Sequence, residues 1–77
     1  MATMMEPKRT TTSVAKVIEI SAESSESFED AIRHGIEKAT GTIHDIRSAW
    51  VESQQVKVED GKVVAFRVDL KVTFVLD

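Results

Sequence analysis

The chain has 77 residues, a formal net charge of -3 and no cysteine. That length supports one small domain with a modest core, and the missing cysteines exclude disulfides and thiolate metal sites. The acidic balance argues against nucleic acid as a partner, because such binders carry a basic stripe.

The remaining bulk features narrow the field further. Two histidines, His34 and His44, are too few for a zinc site. No apolar run approaches the roughly 20 residues a membrane helix needs, so no membrane partner is expected. A core this small is usually reinforced by disulfides, metal or oligomerisation, and self-association is the remedy left open. Absence of cysteine also fits a reducing cytoplasm, which is the expected location.

In chain order, "MATMMEPKRTTTS" comes first. Its basic pair follows the methionines and no apolar stretch succeeds it, so it does not read as a signal peptide. Residues 1–12 are expected to form a flexible tail, and 13–77 a single domain. "VAKVIEIS", Val14 to Ser21, is short and rich in β-branched residues, a first strand. "AESSES" then offers several helix caps. Ser24 is the favoured one, with Glu26 in the first turn facing the positive end of the helix dipole. Phe28, Ala31, Ile32, Gly35, Ile36, Ala39 and Ile43 recur at three- and four-residue steps, the stripe of an amphipathic helix ending near Gly41. Gly35 lies on that stripe, and close packing against a strand would account for it.

A second strand is predicted from about Arg47 to Val58. Asp60-Gly61 signals a tight hairpin. The final strand alternates apolar and polar residues from Val64 to the chain end. The order β-α-β-β gives an α+β domain, a three-stranded antiparallel sheet partly wrapped around one helix. The first and second strands, joined through the helix, need not be neighbours. About fourteen residues of final strand span roughly 45 Å. About sixteen residues of helix span roughly 24 Å. One helix cannot cover the row Val64, Phe66, Val68, Leu70, Val72, Phe74 and Leu76. The exposed remainder and the open strand edges point to a homo-oligomer.

Trp50 is the only tryptophan, and there is no tyrosine. With Asp60-Gly61 as a two-residue turn, Glu59 faces Lys62. Counting back puts Gln54 opposite Arg67 and Trp50 opposite Lys71, so Trp50, Glu52, Gln54, Arg67, Asp69 and Lys71 share the face away from the apolar row. A three-residue turn would reverse this parity. Trp50 is a stacking platform for a planar ligand or an anchor between subunits. Arg67 meets a carboxylate, phosphate or ring edge of a ligand, or pairs with Glu52 or Asp69. Along the strands, Trp50 and Arg67 lie roughly 13 Å apart, so one pocket would need a symmetry mate. His34 follows Asp30 by one helical turn, a surface pair. The three glycines are scattered, which removes phosphate-loop and dinucleotide motifs, and no nucleophile is placed by motif. Carboxylates gathered on a symmetry axis could hold a cation such as calcium or magnesium.

The segments "VAKVIEISAESSESFEDAI", "AWVES" and "DGKVVAFRVDLKVTF", in this order and spacing, resemble the dodecins. The resemblance covers nearly everything from Val14 to Leu76. It implies a hollow, spherical homododecamer that binds flavin, FMN or riboflavin, for storage, sequestration or protection from photochemistry; the missing enzyme motifs agree with a non-enzymatic role. It implies that Trp50 stacks on the flavin ring and that Arg67 stands at a flavin-contacting position; Gln54, counted opposite Arg67, is expected to line the pocket with it. Where flavin-binding members carry a contacting glutamine on the last strand, this chain has Arg67. Glutamine both donates and accepts, whereas arginine only donates and adds a charge. The hairpin before "DGKV" is also shorter than in those members. These departures match a branch with altered or lost flavin binding. There the same assembly would hold a metal ion or another small ligand.

Overall fold

The computed structural model describes residues 12–76. The expected tail falls almost wholly on residues 1–11, outside the described part. The elements are β1 (Val14–Ser24), α1 (Phe28–Ala39), β2 (Ile46–Glu59) and β3 (Lys62–Leu76). They form one antiparallel sheet in the order β1-β3-β2, so β3 is central and the helix-linked strands occupy the edges. The fold is the β-α-β-β arrangement read from the sequence.

The boundaries differ in one instructive place. β1 runs on through Ser24, which pairs with Phe66. Ser24 is therefore in the sheet, and Ser27 caps α1 instead, its Oγ accepting from the Asp30 amide at 2.9 Å. Ser24 still serves the junction. Its Oγ accepts from the Glu26 amide at 2.9 Å and donates to Asp30 Oδ2 at 2.7 Å. Glu29 and Asp30 supply negative charge in the first turn and Lys38 positive charge in the last, both matching the helix dipole. At the other end, the Thr40 and Gly41 amides donate to the carbonyls of Ile36 and Lys38, closing the helix near the expected glycine.

The core sits under α1. Ala31, Val68, Leu70 and Val72 are buried, with Ile18, Ile20, Ala22, Phe28, Ile32, Ile36 and Ile46 packed around them. Phe28 meets Phe66 edge-to-face, ring centroids 5.2 Å apart, which pins the start of the helix to the central strand. Gly35 is where helix and sheet come closest. A Cβ there would lie 2.9 Å from the Ala22 Cβ. α1 packs on β1 and β3, and most of β2 lies beyond its cover.

The hairpin turn is the expected two-residue one. Asp60 and Gly61 both take positive φ, 51° and 74°, as the tight turn between right-twisted strands requires. Past the turn the register slips at Lys57/Val58, at Val51/Ser53 and at Ile46/Ser48. Each slip is a β-bulge, one extra residue on one strand that turns the next side chains to the other face.

Candidate functional site

The face of the sheet away from α1 carries the candidate site. It is built in rows, because cross-strand partners share a face. One row is Glu23–Arg67–Gln55, the next Ser21–Asp69–Ser53, and the third Glu19–Lys71–Trp50. Trp50 is opposite Lys71, as counted from the turn. Gln54 is not opposite Arg67. It pairs with Val68 on the helix side, and Gln55 takes the place beside Arg67.

The cause of that correction is the bulge at Glu52. The slip near the turn places one extra residue, Val64, on β3, and the slip at Glu52 places one on β2. The two offsets cancel for Trp50 but leave the residues between them shifted by one. A signal for this exists in the chain. Val51, Val56 and Val58 cannot share a face by strict alternation, since an odd step separates Val51 from the other two. One added residue between them brings all three to the apolar side.

Asp69 is the hub of the polar rows. Ser21 Oγ donates to Asp69 Oδ1 at 2.6 Å, and Ser53 Oγ donates to Oδ2 at 2.8 Å. The central strand's carboxylate is thus held from both edge strands. Arg67 leans on the same group. Its Nη2 donates to Ser21 Oγ at 3.3 Å, and its Nε lies 3.7 Å from Asp69 Oδ1. Of the two pairings open to Arg67 in the sequence, the one with Asp69 forms. The Ser21 and Ser53 hydroxyls, then the Arg67 guanidinium, hold the Asp69 carboxyl below its ordinary range. Lys57 reaches Glu23 at 3.8 Å on the same face.

Trp50 stands apart from this network at the β2 edge, 50% exposed. A large ring half in water on a flat sheet can stack on a planar partner. Arg67 borders a small recess of about 190 Å³ with Ser21, Ala22 and Glu23. Another recess, of about 530 Å³, lies elsewhere, between α1 and β1, with His34, Gly35 and Lys38 on its wall. His34 sits 3.3 Å from Asp30 Oδ2, the surface pair expected. Among the described residues of one chain, no three histidine or carboxylate groups gather around a common point. No helix among them is long and apolar enough to cross a membrane.

Residues 14–77 match the family model described as Dodecin. The chain is 36% identical over 62 residues to calcium dodecin of Mycobacterium tuberculosis, covering 80% of this chain and 87% of that protein. Its backbone superposes on dodecin from Streptomyces davaonensis with a TM-score of 0.82 at 31% identity, over 87% of this chain and 98% of that one. It superposes on the M. tuberculosis calcium dodecin, described as a calcium chelating antigen with a novel calcium-binding site, with a TM-score of 0.72 at 35% identity. That match covers 83% of this chain and 91% of the other.

Proposed function

Because the chain belongs to the dodecin family, we propose that it is a non-enzymatic flavin-binding protein that stores or sequesters FMN or riboflavin in a hollow homododecamer in the cytoplasm. The observation that carries this reading is Trp50, half exposed on the open face of the sheet at the β2 edge. An isoalloxazine ring is planar, apolar on its faces and polar along one edge. Trp50 supplies the face on which it stacks. Arg67 of a symmetry-related copy supplies donors to its polar edge, and Gln55 beside that Arg67 supplies both a donor and an acceptor. Gln55 thus takes the role first assigned to Gln54. A symmetry mate completes the pocket.

The test is optical. The purified protein should be yellow or should quench the fluorescence of added FMN at micromolar concentration. Stacking on an aromatic side chain is worth about 1–3 kcal/mol per ring, so Trp50→Ala should weaken binding by roughly five- to 150-fold. Absence of binding to both FMN and riboflavin at micromolar concentration rejects the reading.

A second reading has its own support, the 36% identity to a protein named calcium dodecin. In it the assembly holds a divalent cation instead of flavin, at carboxylates brought together by symmetry. Asp69 is a poor candidate ligand, because the Arg67 guanidinium already lies 3.7 Å from its Oδ1 and would repel a cation. Calorimetric titration with calcium and magnesium, run beside the flavins, separates the two readings.

A further inference from the structure

Arg67 brings a positive charge onto the Trp50 face. A free guanidinium there would favour any ligand carrying a phosphate. The geometry does not leave it free. Asp69 lies two residues along the same strand and on the same face, and its oxygens are tied to Ser21 on β1 and Ser53 on β2. Held from both edge strands, the carboxylate stays beside Arg67, its Oδ1 3.7 Å from Nε. Ser21 also receives the Arg67 Nη2 proton, which turns the guanidinium toward β1 and away from the Trp50 edge. Two further opposite-charge neighbours lie on this face, Glu19 across the sheet from Lys71, and Glu23 with Lys57.

We propose that Asp69 is a specificity-determining positioning residue. By cancelling the charge of Arg67 and holding its guanidinium against Ser21, it makes the Trp50 face recognise a flavin by its planar ring and ignore an attached phosphate. The proposal rests on the flavin reading above and adds the class of flavin accepted, phosphorylated and unphosphorylated alike.

Asp69→Asn is the informative variant, since an amide keeps the shape and a carbonyl acceptor while removing the charge. Dissociation constants for FMN and riboflavin, measured on the assembled protein, should agree within about threefold in the natural chain. In Asp69→Asn, with one guanidinium uncompensated, FMN should be favoured by about tenfold or more, and less so as salt rises. Adding Arg67→Gln to that variant should restore parity. A tenfold preference for FMN in the natural chain, or an unchanged ratio in Asp69→Asn, overturns the proposal.

A second measurement needs no flavin. Trp50 is the only tryptophan and the chain has no tyrosine, so its fluorescence reports this face alone. In low salt, Asp69→Asn should raise quenching by iodide about 1.5-fold and leave quenching by neutral acrylamide unchanged. Unchanged iodide quenching overturns the charge cancellation. If neither flavin binds the natural chain, the flavin reading falls, and the iodide result still decides what Asp69 does to Arg67.

Discussion

Among the described residues, Asp69 and Asp30 are the two carboxylates most bound to their surroundings. For Asp69, the hydroxyls of Ser21 and Ser53 hold the pKa below its ordinary value, with Arg67 adding to them. For Asp30 the Ser24 hydroxyl is the leading cause, and His34 and Arg33 assist. A carboxyl whose folded pKa is lowered stabilises the fold at pH above its unfolded value, about 3.9. That contribution is lost as pH falls from there through the lower folded value. Urea midpoints should therefore decline on acidification below about pH 4. Ser21→Ala and Ser24→Ala should flatten this acid limb by returning Asp69 and Asp30 toward ordinary behaviour. An acid limb identical in the variants would show that the hydroxyls are not the cause.

Among the elements, the disproportion between α1 and β3 governs most of what is seen. The helix has 12 residues and the central strand 15. At their respective rises these are about 18 Å and about 50 Å. The helix compensates by packing closely where it does touch the sheet, and Gly35 is the closest approach. Gly35→Ala gains up to about 1 kcal/mol of helix propensity. It also sets a Cβ 2.9 Å from the Ala22 Cβ, which backbone fixes in place. Overpacking of this kind costs about 1–3 kcal/mol, so the net effect should be destabilising. Gly35→Val should be worse still, in the order natural chain, alanine, valine by thermal midpoint. A stabilised alanine variant would mean that the helix can ride up without cost.

At the scale of the whole molecule, one chain is not a closed body. Its radius of gyration is 18.2 Å, against about 11 Å for a compact domain of this size. Val51, Val56, Val58 and Val63 are well exposed on the hairpin beyond the helix. They form an apolar row interrupted only by Gln54, because the bulges turn β2 so that Val51, Val56 and Val58 fall on one face. Such strips mark contact surfaces. Sedimentation at micromolar concentration should show one large species for the natural chain. Val56→Lys, placing a charge in the middle of the strip, should shift mass to smaller species. A folded, stable single subunit of the natural chain would remove the homododecamer and the pocket between its copies.

The order β-α-β-β, the Asp60-Gly61 turn and the exposed remainder of the sheet were all legible from the sequence. Each follows from local rules: alternation in the strands, three- and four-residue steps in the helix, positive φ at the turn. Trp50 opposite Lys71 was legible too, because two bulges of opposite sense restore the count. The Gln54 position was not, although Val51 and Val56 hinted at the slip. A bulge is a matter of register between two paired strands, which the alternation within either strand alone does not fix. The capping serine was settled the same way, once pairing with Phe66 drew Ser24 into the sheet. The Ser21–Asp69–Ser53 tie belongs wholly to tertiary structure, because its three residues come from three strands that only the fold sets side by side.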